Sequence, residues 1–203
     1  MNFGEVIKQA QQKGYGQLKD CLDRHRAAGD EVFAEPALRN ASGEIVSAPD
    51  GLKLPLRSDL AFFDSTGTVK TEYADTYSLN FREPVFANWE NKLKIEIHSV
   101  SWDYMAFHLP PVNMQNSWEG LRRWFLRWFD FEDEKTADSN GLYGVVHFIS
   151  DPEVEAEGVS LRVDFGSAPI DALGELFDEL IKLGVTYCTI GTPADPKTFQ
   201  VTA

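Results

Sequence analysis

The sequence predicts an α+β fold: a mixed, mostly antiparallel sheet with helices packed mainly on one face and a C-terminal strand-helix-strand unit. Two observations lead there. Apolar residues recur at helical spacing near the start, after residue 117 and after Pro169, and between these stretches the period falls toward two with turn residues recurring. The 203 residues hold no internal repeat, low-complexity tract or linker-like run, so one domain spans 1–203. It divides into a helical segment 1–29, a β-rich stretch 31–109 and an α/β part 117–203.

Phe3, Val6, Ile7 and Ala10 share one helix face, and Leu18, Cys21, Leu22 and His25 resume it until Gly29. Gly14-Tyr15-Gly16 falls between the two runs, so one broken helix and two short ones fit equally. A meander of antiparallel strands is expected over 31–109, with turns at Ser42-Gly43, Asp50-Gly51 and Asp64-Ser65-Thr66-Gly67. The last of these joins Leu60-Ala61-Phe62-Phe63 to Thr68-Val69-Lys70 as a hairpin. Leu93, Ile95 and Ile97 alternate with Lys94, Glu96 and His98, giving that strand an apolar and a polar face.

Ser117 is placed to cap a helix running to about Phe129, with Leu121, Trp124, Phe125 and Trp128 inward. Strands follow at Gly141–Ser150 and Gly158–Phe165, joined by an acidic connection. Pro169 starts a helix with Ile170, Leu173, Phe177, Leu180 and Ile181 inward, and Gly184 ends it. Val185–Ile190 closes a unit whose two strands run parallel through a right-handed crossover.

A hydrophobic fraction of 43% and an aromatic fraction of 12% argue for a packed core. The N-terminus lacks a basic start followed by an apolar run, no stretch is long and apolar enough to span a membrane, and two cysteines are too few for a disulfide framework. A cytoplasmic protein with reduced thiols is expected. Net charge is −13, unevenly spread: residues 1–100 carry 12 basic and 15 acidic groups, the remainder 7 and 17. Nine acids lie between Asp130 and Glu157 against one base, Lys135. Such a surface repels phosphates and anionic lipid and speeds encounter with a basic protein, so direct nucleic-acid or membrane binding is not expected.

Motif matches for familiar chemistry fail on context. Asp164-Phe165-Gly166 spells the kinase magnesium triplet, but no glycine-rich loop or catalytic-loop motif accompanies it. No nucleophile elbow, phosphate loop or dinucleotide fingerprint is present. Cys21 and His25 share a helix face, but no second pair completes a zinc set, so neither metal nor cofactor is expected. The candidate catalytic pair is Glu96 and His98, side by side on the polar face of one strand, with Tyr104 or His147 as further members.

The segment 118–134 crowds Trp and Phe into a helix with Arg at its flanks, the composition that interfaces concentrate at their centres. Burial of a broad helix face, with Arg over the ring edges, accounts for it equally. The leading expectation is a non-enzymatic acidic module that binds and blocks a basic partner, a toxin or nucleic-acid enzyme, in the manner of immunity or inhibitor proteins. That is a likeness of character, without a family motif. Its partner-binding residues would be Trp118, Arg123, Trp124, Trp128, Asp130, Glu132, Asp133, Glu134, Glu153, Glu155 and Glu157. A small enzyme built on Glu96 and His98, and a self-associating structural subunit, are the alternatives.

Overall fold

The computed structural model describes residues 1–47, 54–111 and 118–191, so the expected turn at Asp50-Gly51 and the cap at Ser117 lie outside it. The helical start is one continuous 26-residue helix, α1 (Phe3–Ala28), opened by a capping box in which Asn2 and Glu5 bond each other's backbone. Glycines 14 and 16 do not break it. At Gly14 a Cβ would come within 2.8 Å of the Trp102 Cβ, so the missing side chain is where that ring packs on the helix.

The two apolar runs of α1 serve different cores. Val6, Ile7 and Ala10 join the main core, whereas Leu18, Cys21 and Leu22 pack with Leu60 and Leu142 in a smaller one. At 1.5 Å per residue the helix is about 39 Å long, enough to bridge both.

The strands β1 (Val32–Ala34), β2 (Leu60–Phe63) and β3 (Val69–Glu72) form a three-stranded antiparallel sheet beneath the second half of α1. The β2–β3 hairpin closes as expected, with Asp64 accepting from the backbone of Thr66 and Thr68. A seven-stranded sheet holds β4 (Leu79–Trp89), β5 (Leu93–Val100), β6 (Met105–Leu109), β7 (Phe148–Ile149), β8 (Glu153–Glu155), β9 (Gly158–Asp164) and β10 (Tyr187–Ile190). The order is β4-β5-β10-β6-β9-β7, with β8 also on β9.

The single meander expected over 31–109 is therefore split between two sheets, and β10 separates β5 from β6. Pairing is parallel between β10 and β5 and antiparallel between β10 and β6 and between β6 and β9, so β9 and β10 run parallel, as a strand-helix-strand unit requires. The strand expected at 141–150 shrinks to Phe148–Ile149, because Gly141 and Gly144 take left-handed backbone that breaks the pleat.

Helices α2 (Glu119–Phe129) and α3 (Ile170–Lys182) cover the same sheet face as the start of α1. Leu93, Ile95 and Ile97 are buried beneath them, while Lys94, Glu96 and His98 point the other way. Ala172, Leu173, Leu176, Phe177 and Leu180 are the buried residues of α3. Ile170, expected inward, is 38% exposed at the first position of the helix. Each large apolar side chain so buried contributes about 1.5–3 kcal/mol.

The two helical glycines of α1 make opposite predictions. Gly16→Ala has open space and should stabilise the protein by about 0.5–1 kcal/mol in urea denaturation, the helix-propensity gain. Gly14→Ala should lose that gain to the collision with Trp102 and lower the midpoint.

Candidate functional site

Where the two sheets meet, four chain segments bring ionisable side chains together in the interior. His147 precedes β7 and is fully buried. Its Nε2 lies 2.8 Å from Glu35 Oε1, and its Nδ1 lies 2.9 Å from Asp59 Oδ1 and 3.7 Å from Asp164 Oδ2. Glu35 follows β1, Asp59 precedes β2, and Asp164 ends β9. With an acceptor at each ring nitrogen, His147 is a doubly protonated imidazolium donating in both directions.

Burial alone would pull the His147 pKa down, but Asp164, Asp59 and Glu35 together raise it well above the ordinary imidazole range. Burial would raise Glu35, yet His147, with Ser167 and Tyr143, holds its carboxyl below the usual range. Glu35 Oε1 also accepts from the Ser167 backbone N–H and Oε2 from that of Tyr143, at 3.0 and 2.6 Å. Asp164 goes the other way: burial raises its pKa in spite of His147. One imidazolium cannot compensate three carboxylates equally, and Asp164 is the most distant of them.

The backbone is shaped to this cluster. Glu35 has φ 49° and Gly166 also has φ 49°, both in the left-handed region. At Gly166 a Cβ would sit 2.3 Å from His147 Nε2, so only glycine lets the chain pass the ring. Arg57, buried beside the cluster, donates to the carbonyls of Phe129, Glu35 and Asp130 and to Asp133 Oδ1, with its guanidinium over the Phe129 ring.

Outside this interior lies a cleft of about 630 Å³ lined by Phe33, Glu35, Arg57, Asp133, Lys135 and Tyr143 among others. Lys135 donates to the Gly144 carbonyl at 2.7 Å and stands over the Trp128 ring, and burial lowers its pKa.

Glu96 and His98 touch on the sheet face away from the helices, Nε2 to Oε1 at 2.8 Å, and Tyr187 donates to the second oxygen of Glu96. Tyr104 is 51% exposed with Arg162 over its ring. The expectation that His147 joins Glu96 and His98 is overturned, because both its nitrogens are taken inside the interior cluster. His25 bonds Asp30 and Glu72, and Cys21 shares Glu72. Burial raises the Cys21 thiol to about 11, and burial also raises Cys188.

The rings of α2 are mostly spent on the core. Trp124 is buried and donates to the Ala172 carbonyl, Trp128 donates to Glu175, and Trp118 is half-buried against the main core. Arg123 is exposed. The acids of 130–157 do not form one patch: the loop after α2 lies beside the Asp164 end of β9, while Glu153 and Glu155 lie on β8 and Glu157 in the turn that joins it to the Gly158 end. Those ends are about 20 Å apart at strand rise.

Sequence reasoning passed over Glu35, Arg57, Asp59 and Asp164 as site residues. The available signals were a histidine within the apolar run Val145-Val146-His147-Phe148-Ile149 and an acid followed by Gly166 at a strand end.

Replacing His147 with Leu should cost about 3–5 kcal/mol in chemical denaturation, since it strands a buried Glu35 carboxylate. At the second cluster, burial lowers the His25 pKa but its hydrogen bonds to Asp30 and Glu72 outweigh it and raise it overall, while His25 and Cys21 lower Glu72 against burial. The His25 contribution is then complete below its ordinary pKa and is lost as pH rises through the raised folded value. The Glu72 contribution is present above its ordinary pKa and fades as pH falls through the lowered one. Denaturation midpoints of the protein and of His25→Gln should accordingly converge as pH is raised from 6 toward 9, by roughly the amount the linkage relation assigns to the raised pKa. No protein-family model matches this chain, and comparisons with curated proteins and with solved structures find no match to it.

Proposed function

We propose that the protein is a non-enzymatic acidic binding module whose partner presents a basic surface, engaged through the loop that follows α2. The observation that supports this reading is the construction of that loop. Asp130 and Asp133 both adopt left-handed backbone, at φ 58° and 52°. The Asp130 carboxylate accepts from the backbone of Glu134 and Lys135, and buried Arg57 holds the Asp130 carbonyl and the Asp133 carboxylate from inside. Two acids are thereby spent on fixing the loop. Phe131, Glu132 and Glu134 are left facing solvent, an apolar ring followed by two carboxylates. A display fixed in advance loses little entropy on binding, and its charge steers a basic partner.

The cluster around fully buried His147, in contrast, has the ring nitrogens and the Glu35 carboxylate committed to internal bonds, which suits holding the fold together more than turning over a substrate. Among the described residues no helix is long and apolar enough to cross a membrane. Both cysteines are free and buried, in keeping with a cytoplasmic setting. The contact between Glu96, His98 and Tyr187 favours a second reading, a small enzyme on the open sheet face.

Capture from cell lysate at low and high salt, with three baits, separates these readings. The wild-type protein should hold a basic partner that salt releases. Glu132→Lys with Glu134→Lys should slow its association about tenfold or more at low salt. Glu153→Lys with Glu157→Lys should leave the rate within a factor of about two. Equal rates for all three baits would remove the loop as the docking element. A small-molecule turnover abolished by Glu96→Gln would put the second reading in its place.

A further inference from the structure

We propose that Asp59, His147 and Asp164 form a binding site for a divalent first-row transition-metal ion. The three ligand atoms, one from each side chain, all lie within 4.8 Å of one another. The 2.9 Å from His147 Nδ1 to Asp59 Oδ1 matches an octahedral edge for bonds of about 2.0–2.2 Å, and the 3.7 Å to Asp164 Oδ2 is slightly longer than a tetrahedral edge, so a small inward turn of Asp164 completes the shell. The far side of the imidazole is already arranged as metal-ligating histidines require: Nε2–H donates to the buried Glu35 carboxylate, which fixes the ring and raises its basicity.

A second observation stands apart from the triad. Beside Asp59 and Asp164 is a hollow of about 10 Å³, lined also by Gln17, Asp75 and Asp103. That is room for one water-sized sphere. Gln17 Oε1 is buried there with no hydrogen-bond partner, an oxygen that an ion or its bound water would satisfy. Asp164 Oδ1 takes the Gly166 N–H, and Oδ2 has its neighbour His147 only at 3.7 Å.

One imidazole with two carboxylates suits ions of the zinc, manganese or ferrous kind better than calcium or magnesium, whose shells are all oxygen. Binding replaces the proton on His147 Nδ1, which leaves to solvent, while the proton on Nε2 stays with Glu35. The site is independent of the partner-binding reading, since the loop at 130–134 contributes no ligand to it.

The test uses the full chain, stripped with EDTA and titrated with Co²⁺. One saturable equivalent is expected, with visible d–d absorption and a higher Tm. Asp164→Asn and Asp59→Asn should each weaken binding about tenfold or more, and Glu35→Gln about 10- to 100-fold, as loss of an outer-shell partner does. Because any of these variants can fail to fold, the wild-type protein supplies a separate readout: Co²⁺ should shift the ring resonances of His147 in NMR spectra and leave those of His98 and His108 in place. Absence of saturation up to about 1 mM Co²⁺, unchanged affinity in both aspartate variants, or paramagnetic shifts confined to the other histidines would each overturn the site.

Discussion

The imidazole of His147 is the point at which the two sheets are joined. Glu35 and Asp59 flank β1 and β2 in the small sheet, while His147 directly precedes β7 and Asp164 ends β9 in the large one. An ion pair in the interior offsets its own desolvation only when its geometry is good and its remaining lone pairs are satisfied. Here both conditions are met for Glu35, whose two oxygens together accept three bonds. A shift of either sheet would leave a buried charge uncompensated, so the cluster sets the relation of the sheets more sharply than apolar contact alone could.

The rest of the junction follows from that constraint. Arg57 extends the polar network outward to Asp133 and the end of α2, which ties the surface loop to the interior. Helix α1 lies across both cores, and its C-terminal half is pinned to β3 through Arg24, His25 and Glu72. Tyr15 and Arg26 reach from the same helix to Asp138 and Asn140. The loop 130–143 is thus held from three sides, and its exposed acids owe their positions to groups buried beneath them.

The same arrangement accounts for the fate of the aromatic residues in α2. Trp124 and Trp128 keep their indole N–H groups bonded to α3, the Trp124 ring buried in the main core and the Trp128 ring packed against it. Their apolar area stabilises the core, and the ring of Phe131, just beyond the helix, is left exposed.

The fold class, the β2–β3 hairpin, the inward face of β5 and the course of α3 were legible in the sequence because each is written in local periodicity and turn residues. The continuity of α1 was open, since the cost of two helical glycines is small and the packing of Trp102 onto Gly14 decides it. Splitting of the 31–109 stretch was hidden because strand pairing across sheets depends on which faces find burial, and alternation does not encode a partner. The cluster itself joins Glu35 to His147 across 112 residues. No spacing rule reaches that far. Composition and local pattern determined the elements, the apolar faces and the surplus of acid; only the tertiary structure decided which acids are buried against a histidine and which face water, because that choice is set by desolvation and by partners brought from distant segments.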